Sequence, residues 1–372
     1  MKVYYSSAAF LLQRYGGISR YYNEIHQQLR SLGISSHIGG IFHASTHTFD
    51  AKYRFPLRKI QVTYLPARTY GIFRFLNNLY DSILVNIIRP DSYHLTYYDQ
   101  VPRFLPRSTL IITSAYDATA EKLYSSCPHT EELVASRSRA YSVSSHIIAI
   151  SNSTKEDIVR LYNLPSHKVS VVYLSSFSSP HLSSMRSFTI PQKPFLLYVG
   201  SRANYKNFDI LLSTYLSNQD LYDCLDLVVF GDSRTSNSEA QLLHDHHHAS
   251  QHVHFISGDD SALHSLYQAS FALVYPSLNE GFGLPVLEAQ RYTPVILSDI
   301  PVFREIAQNS SLYFNPTSSK SLVKAITTLL ESRETYSYYV AQSEKNVYRF
   351  SWSKCARETL QVYYQCLLST NA

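Results

Sequence analysis

Two glutamates in the second half of the chain have the spacing of a site for a phosphate or a polyhydroxyl ligand. Glu280 and Glu288 are separated by seven residues, among them Gly281, Gly283 and Pro285, and an apolar run precedes them. A strand, a glycine-containing turn and a helix that opens at a proline leave backbone N–H groups unpaired at the helix start. Partial positive charge there favours phosphate or polar sugar groups. We expect both carboxylates to reach one ligand; the alternative is that they only favour the helix start.

A second segment supplies two cations. Gly200 ends an apolar run, and Arg202 and Lys206 follow it four residues apart. If a nucleoside diphosphate leaves during a reaction, either Mg²⁺ or an arginine and a lysine aimed at the phosphates can neutralise the developing charge. Taken alone, the segment also fits a solvated loop with surface cations. Beside the glutamate segment, it indicates a diphosphate site.

The elements that must position these residues form two similar halves. The 372 residues are 45% hydrophobic, which is enough for two packed cores. Short apolar runs alternate with helical periods, a pattern typical of parallel sheets covered on both faces. A Ser-, His- and Pro-rich stretch at 175–194 is expected to link the halves. Predicted strands are 2–5, 93–96, 110–113, 146–150 and 169–174, then 195–199, 225–230, 252–255, 272–274 and 294–297; predicted helices include 19–32, 155–162, 208–216, 321–330 and 354–368.

Composition excludes several classes of protein. The net charge of +5 is small and not concentrated, so it suits an anionic small substrate or an anionic membrane surface better than nucleic acid. No apolar run approaches the roughly 18–20 residues that span a bilayer, and no signal peptide is evident. The four cysteines lack paired spacing, as in a reducing compartment. We therefore expect a cytoplasmic protein.

Glycine is scarce, with 11 residues in the chain, so the positions that keep it are expected to need tight turns or close backbone approach. Seven of them follow or interrupt apolar runs: Gly16, Gly17, Gly200, Gly231, Gly258, Gly281 and Gly283.

Together with Gly16-Gly17-Ile18-Ser19-Arg20-Tyr21, the two segments resemble the group 1 family of retaining, nucleotide-sugar-dependent glycosyltransferases. Glu280 and Glu288 match its E-x7-E signature, and Arg202 and Lys206 match its diphosphate clamp. The chain is similar to bacterial mannosyltransferases of surface-polysaccharide biosynthesis. The resemblance implies an α/β protein of the GT-B fold, in which two Rossmann-like, doubly wound parallel-sheet domains face a central cleft. The implied domains are 1–180 for the acceptor, 181–350 for the nucleotide sugar, and a segment 351–372 that crosses back to the first domain.

The resemblance also implies the reaction. A hexose, mannose from GDP-mannose as the first expectation and a UDP-hexose as the second, would pass to a hydroxyl of a glycan or lipid-linked acceptor, with retention and without an essential metal or other cofactor. A GT-B epimerase or a catalytically silent partner subunit is the alternative. The residues implied to act are Glu280, Arg202, Lys206 and Asp117 in catalysis and Gly16, Gly17, Gly200, Ser257, Phe282, Gly283, Leu284 and Glu288 in donor binding.

One position departs from the family pattern. Where the family has His-Asp after the strand at 110–113, this chain has Tyr116-Asp117. A tyrosine can donate a hydrogen bond to a donor sugar but cannot carry the proton of a histidine near neutral pH. The alternative is that Tyr116 only packs the loop.

Two further patterns lie outside the family motifs. The run His244-Asp245-His246-His247-His248 suggests a metal site by its composition. On a helix, however, only His244 and His248 of this run share a face, so we expect a solvated loop or helix end and no metal site. Apolar residues at helical spacing in 71–89, with Arg58, Lys59, Arg68 and Arg74 on or before them, indicate a core-packing helix or one that touches the cytoplasmic face of an anionic membrane.

Overall fold

A computed structural model of the protein describes residues 1–12, 16–45, 59–62, 67–124, 128–176, 191–202 and 204–370. The chain divides into two units. The first unit combines Met1–Leu174 with Ser351–Ala372, and the second is Ser175–Phe350. The predicted boundary between residues 180 and 181, and most of the predicted linker, lie outside the described residues.

The first unit is built on a six-stranded sheet in which all neighbours run parallel, in the order β2-β1-β5-β6-β7-β8. Buried side chains fill its centre, and every residue of β5 is buried. Its strands are β1 (Lys2–Tyr5), β2 (Ser35–Ile38), β5 (Ser92–Leu95), β6 (Leu110–Ala115), β7 (His146–Ala149) and β8 (Val169–Val171), and a separate parallel pair is β3 (Phe42–His43) with β4 (Ile60–Gln61).

Helices cover this sheet, and the last one comes from the far end of the sequence. Helix α16 packs against α2, and the Tyr21 and Trp352 rings lie 6.2 Å apart at that contact. The helices of the unit are α1 (Ala8–Leu12), α2 (Gly17–Ser31), α3 (Ala67–Ile88), α4 (Thr119–Leu123), α5 (Pro128–Val143), α6 (Asn152–Leu161) and α16 (Trp352–Thr370), with a 3₁₀ turn at Ser166–Lys168.

The second unit has the strand order β11-β10-β9-β12-β13-β14, again with parallel neighbours. All residues of β9, β10, β12 and β13 are buried, as expected for a parallel sheet covered on both faces. The order reverses between β9 and β12, and ligands of open α/β sheets bind beside the carboxyl ends of strands at such a reversal. The strands are β9 (Phe195–Val199), β10 (Asp226–Phe230), β11 (Val253–Ile256), β12 (Ala272–Tyr275), β13 (Val295–Ser298) and β14 (Leu312–Phe314).

Helices of the second unit bury their apolar faces on this sheet. Leu211, Leu212 and Tyr215 of α7 join Leu196 and Val229 of the strands in one core. The helices are α7 (Phe208–Leu216), α8 (Gln219–Cys224), α9 (Asn237–Asp245), α10 (His247–Ser250), α11 (Asp260–Ala269), α12 (Leu284–Ala289), α13 (Pro301–Ala307), α14 (Ser319–Glu331) and α15 (Arg333–Val347), with a 3₁₀ turn at Asn204–Lys206.

Membrane-spanning segments are not found in this fold: among the residues that the structure describes, none of the helices combines the length and apolarity that a bilayer crossing requires.

Candidate functional site

The loops after β9 and β12 meet at the strand-order reversal of the second unit. The Leu278 backbone N–H donates to the Tyr205 carbonyl oxygen at 2.8 Å, and the Asn207 side-chain amide donates to the Pro276 carbonyl at 3.1 Å. Asn207 adopts a left-handed φ of 54° as it enters α7, a conformation that asparagine tolerates better than most residues. These bonds bring the two sequence-predicted segments together as one structural feature.

Lys206 and Glu280 form an ion pair between these loops. Lys206 Nζ lies 2.6 Å from Glu280 Oε1, and the two side chains are 12% and 11% exposed. The Ser277 hydroxyl donates to the same carboxylate oxygen at 2.8 Å, and Lys206 also donates to the Tyr275 hydroxyl at 3.1 Å. The sequence predicted both charged residues at a ligand, and the structure pairs them with each other.

This environment keeps Lys206 charged. Burial acts to lower the pKa of the Lys206 ammonium, but the oxygens of Tyr275 and Glu280 outweigh it and raise the pKa well above its usual value. Burial raises the pKa of Tyr275, and Glu280 raises it further. A protonated lysine beside a neutral phenol is therefore the state of the site at neutral pH.

Arg202 points to the opposite side of β9. Its Nε donates to Glu239 Oε1 at 2.6 Å, its Nη1 donates to the Asp232 carbonyl at 2.5 Å, and its Nη2 donates to the Arg234 carbonyl. The guanidinium carbon lies 5.2 Å from the centre of the Phe255 ring. The sequence predicted one clamp made of Arg202 and Lys206. In the structure, Arg202 contacts the loop after β10, whereas Lys206 contacts β12 and the loop after it. These two strands lie on opposite sides of β9.

Glycines permit the close approach of the strand ends. Gly200 and Gly231 have φ values of 127° and 158°, and a Cβ on Gly231 would lie 2.5 Å from the Gly200 carbonyl oxygen. Gly283, which precedes α12, has a φ of 96°, and a Cβ there would meet the Phe303 ring at 3.0 Å. These three positions require glycine for reasons of backbone geometry.

The remaining predicted donor residues of the second unit lie around α12 and β11. Helix α12 begins at Leu284, one residue before the proline expected to open it. Phe282 is buried, and Ser257 is exposed directly after β11. Glu288 is 6% exposed and accepts a hydrogen bond from the Tyr267 hydroxyl at 3.0 Å.

Gly16 and Gly17 stand at the start of α2 in the first unit. Gly16 precedes α2 with a φ of 177°, which is extended backbone that any residue adopts. A tight turn is therefore not the reason for glycine at this position. Gly17 is the exposed first residue of α2.

Asp117, whose side chain is 31% exposed, lies at the edge of a charged cluster of the first unit. Its carboxylate accepts from the Thr119 backbone N–H at 2.8 Å and from Arg137 at 3.3 Å. Arg137 also donates to Glu121 at 2.6 Å. Asp117 is thus bound within its own unit by a helix start and by an arginine.

Tyr116 packs into the interior. Its hydroxyl donates to the Thr96 carbonyl at 2.6 Å and lies 2.7 Å from the Tyr22 hydroxyl, and burial raises the pKa of Tyr116 well above its usual value. Of the two interpretations of the Tyr-Asp sequence, these contacts favour the packing role.

The histidine run spans the end of α9, His246 and the start of α10. Within the described parts of the chain, we find no group of three or more His, Cys, Asp or Glu side chains placed to hold a metal ion.

Three residues that shape the site were not predicted from the sequence: Tyr275, Ser277 and Glu239. The first two flank Pro276, but nothing in their types marked them. Glu239 could have been found, because it follows Ser236 by three residues and so completes the sequence signature of a capping box.

Comparison with known proteins identifies the relatives of this architecture. Residues 183–346 match the family model described as "Glycosyl transferases group 1". Over 201 residues the chain is 32% identical to the O-antigen chain mannosyltransferase RfbU of Salmonella typhimurium, a match that covers 53% of this chain and 55% of the relative. The chain thus spans about half the length of this curated relative.

Two solved structures share the fold over nearly the whole chain. Sucrose-phosphate synthase from Thermosynechococcus elongatus superposes with a TM-score of 0.73 at 15% identity, covering 99% of this chain and 100% of that one. HepE from Anabaena, solved in complex with UDP-glucose, gives a TM-score of 0.72 at 13% identity and covers 98% and 100%. These likenesses show the GT-B fold.

Proposed function

On the premise that residues 183–346 form a domain of the glycosyl transferases group 1 family, we propose that the protein is a retaining hexosyltransferase of polysaccharide biosynthesis. It would move a hexose from a nucleotide sugar to an acceptor hydroxyl. The observation that carries the proposal is the Lys206–Glu280 pair, because it places a buried cation and a carboxylate at the carboxyl ends of β9 and β12, where ligands of such sheets bind.

The charges of this pair match the needs of the reaction. The bond between C1 of the hexose and the diphosphate oxygen breaks, and its electron pair leaves with the diphosphate. Lys206 and Arg202 would stabilise that growing negative charge. The acceptor oxygen bonds to C1 on the same face, and its proton passes to the departing phosphate oxygen. Glu280 would orient the sugar, and Glu288 would bind the ribose hydroxyls. We propose that no metal is essential.

The donor is proposed from the relatives. RfbU is named a mannosyltransferase, which favours GDP-mannose, and HepE was solved with UDP-glucose, which keeps a UDP-hexose as the second candidate. Fold alone does not choose between them.

A cavity of about 220 Å³ in the first unit is our proposal for the acceptor sugar. It lies beside the carboxyl ends of β1 and β5, and its lining includes Tyr70, Tyr97, Asp99, Glu132 and Ser136. Aromatic faces can pack against the C–H groups of a pyranose, and carboxylates accept hydrogen bonds from its hydroxyls. Asp99 is held in place by Arg74 at 3.1 Å.

Helix α3 supports peripheral contact with a membrane, where a lipid-linked acceptor would lie. One face is buried, as the core interpretation predicted, but the opposite face carries large apolar side chains that are about half to two-thirds exposed: Ile72, Phe75, Leu79, Ile83 and Ile87. We propose that this face inserts into the bilayer interface.

Two of the four basic residues on or before α3 have partners within the protein. Arg74 pairs with Asp99, and Lys59 donates to the carbonyls of Ile38 and Gly39. Arg58 and the side chain of Arg68 lie outside the described residues. We propose that the exposed apolar side chains of α3 supply most of the contact.

A panel of nucleotide sugars tests the function. GDP-mannose, UDP-glucose, UDP-galactose and UDP-N-acetylglucosamine are added with EDTA, and thermal stabilisation and nucleotide release are measured. We expect one donor to stabilise the protein and to be slowly hydrolysed in EDTA. Conversion of the donor to an epimer without any acceptor would support the epimerase alternative, and binding of none would support a silent partner subunit.

A further inference from the structure

The Arg202 guanidinium is fixed by a buried carboxylate that no sequence motif of the site includes. Arg202 Nε and Glu239 Oε1 are 2.6 Å apart, and the two side chains are only 9% and 5% exposed. The carbonyls of Asp232 and Arg234 accept from the other two nitrogens, so the cation is bound along its edge by the loop after β10 and by the helix that follows.

Glu239 is itself held in place by hydrogen bonds to Ser236. Its second oxygen accepts from the Ser236 backbone N–H at 2.7 Å, and the Ser236 hydroxyl accepts from the Glu239 backbone N–H at 3.2 Å. This reciprocal arrangement is the capping box that opens α9. One carboxylate therefore links the start of a helix to the guanidinium.

We propose that Glu239 is the positioning residue for Arg202 in recognition of the donor diphosphate, an inference that rests on the proposed function. An arginine left free in solvent loses rotamer entropy when it binds an anion, whereas one that is already fixed has lost that entropy on folding. Glu239 does not contact the ligand, because its buried carboxylate would repel a diphosphate. It acts through the place and orientation of Arg202.

The competing explanation is that Glu239 only caps α9. Two single variants separate these roles. Ser236→Ala removes the hydroxyl half of the capping box and leaves the Glu239–Arg202 contact, whereas Glu239→Ala removes the carboxylate half of the capping box together with that contact. Each variant loses one of the two hydrogen bonds of the capping box, so both are expected to lower the stability of α9. Only Glu239→Ala removes the carboxylate that fixes the guanidinium, which then keeps only the carbonyls of Asp232 and Arg234 as acceptors.

The test uses GDP and UDP as probes in calorimetric titrations of the full chain, and the nucleotide that binds the unsubstituted protein is carried forward. Glu239→Ala is expected to weaken its binding by about 10- to 100-fold, the range for misplacement of a binding group. Ser236→Ala should stay within about twofold of the unsubstituted protein. With Arg202→Ala already present, Glu239→Ala should weaken binding no further.

Three results would contradict the assignment. Equal weakening by Ser236→Ala and Glu239→Ala would reduce Glu239 to a helix cap. Further weakening by Glu239→Ala when Arg202 is already replaced would show that it acts by another route. If neither nucleotide binds the unsubstituted protein, the proposed donor site fails, and the role of Glu239 fails with it.

Discussion

The Nδ1 atom of His94 lies 2.6 Å from the Tyr363 hydroxyl and joins β5 to α16 across 269 residues of sequence. On its other side, His94 Nε2 lies 2.9 Å from the Ser114 hydroxyl. Both ring nitrogens are thus engaged in the interior of the first unit. Burial lowers the pKa of His94 to about 3, so the ring is neutral in the folded protein.

Acid should therefore unfold the first unit through its buried histidines. Burial lowers the pKa values of His26 and His43 to about 3 as well, whereas an unfolded histidine has a pKa near 6.5. The unfolded chain then binds protons that the folded chain does not. Stability is fully present above pH 6.5 and falls as the pH drops towards 3, by up to about 1.4 kcal/mol per pH unit for each histidine.

Urea unfolding between pH 7.5 and 4.5 measures this slope. In His94→Gln, the free energy of unfolding should change less steeply with pH than in the unsubstituted chain, because one of the three histidines no longer contributes. A stability that does not change over this range would show that the three rings are not protonated selectively in the unfolded state.

Removal of the Tyr363 hydroxyl should destabilise the contact between α16 and the first sheet. Tyr363→Phe leaves the His94 ring without its partner on α16, and a buried polar group that loses its partner costs about 1–3 kcal/mol. The neighbouring Tyr364 is 44% exposed, so Tyr364→Phe is a matched control that should be nearly neutral. Equal free energies of unfolding for the two variants, measured in urea, would contradict the structural role of this bond.

Glu280→Gln should abolish sugar transfer while the nucleoside diphosphate still binds. The amide keeps the shape of the side chain but removes the charge that faces Lys206, which leaves the ammonium available to phosphate. We expect turnover to fall by at least about 10²-fold, the range for loss of an electrostatic group in an active site. Turnover with the donor identified by the nucleotide-sugar panel and calorimetric binding of its nucleoside diphosphate measure the two effects separately. Normal turnover in this variant would remove Glu280 from the site.

Two glycine substitutions should have opposite effects on stability. Gly283→Ala forces a side chain into a left-handed conformation and against the Phe303 ring, so we expect a loss of about 1–3 kcal/mol. Gly71 lies in α3 with ordinary backbone angles and open space around its Cβ position, so Gly71→Ala should add up to about 1 kcal/mol. Thermal unfolding of the two variants in parallel tests the sign of each change, and destabilisation by both would contradict the geometry at Gly71.

The apolar face of α3 should determine membrane affinity. Phe75→Ser and Leu79→Ser together should release the protein from phosphatidylcholine–phosphatidylglycerol vesicles in sedimentation assays. Binding should persist in high salt and on vesicles of phosphatidylcholine alone, because the contact is mainly apolar. Thr69→Ser, at the start of the same helix, serves as a control for the handling of the variants. Vesicle binding that disappears in salt, or that survives the double substitution, would contradict the proposed surface.

Sequence periodicity predicted the sheets well and the contacts of charged residues poorly. The strands Lys2–Tyr5 and Phe195–Val199 and the helix Phe208–Leu216 have the predicted bounds, because their apolar runs are continuous and end at turn residues. The strand Ser35–Ile38 was missed, because its Ser-Ser-His-Ile sequence has only one strongly apolar residue.

At the site, spacing predicted candidate residues but not the residues that they contact. Arg202 and Lys206 are four residues apart, yet Arg202 contacts the loop after β10 and Lys206, at the end of the 3₁₀ turn, contacts β12 and the loop that follows it. That Glu239 pairs with Arg202 depends on the adjacency of β9 and β10, which only the assembled sheet provides. Hydrogen bonds of long sequence separation are therefore the part of the site that the sequence did not predict.

The placement of α16 in the first unit has a consequence for synthesis on the ribosome. The residues of the second unit are translated before Trp352 and Tyr363, so that unit can fold while the first still lacks a helix of its core. Until α16 emerges, Tyr21 and His94 stand without partners that the finished protein gives them. The first unit thus receives α16 only after the second unit has been synthesised, and until then the apolar surface that α16 covers stays exposed.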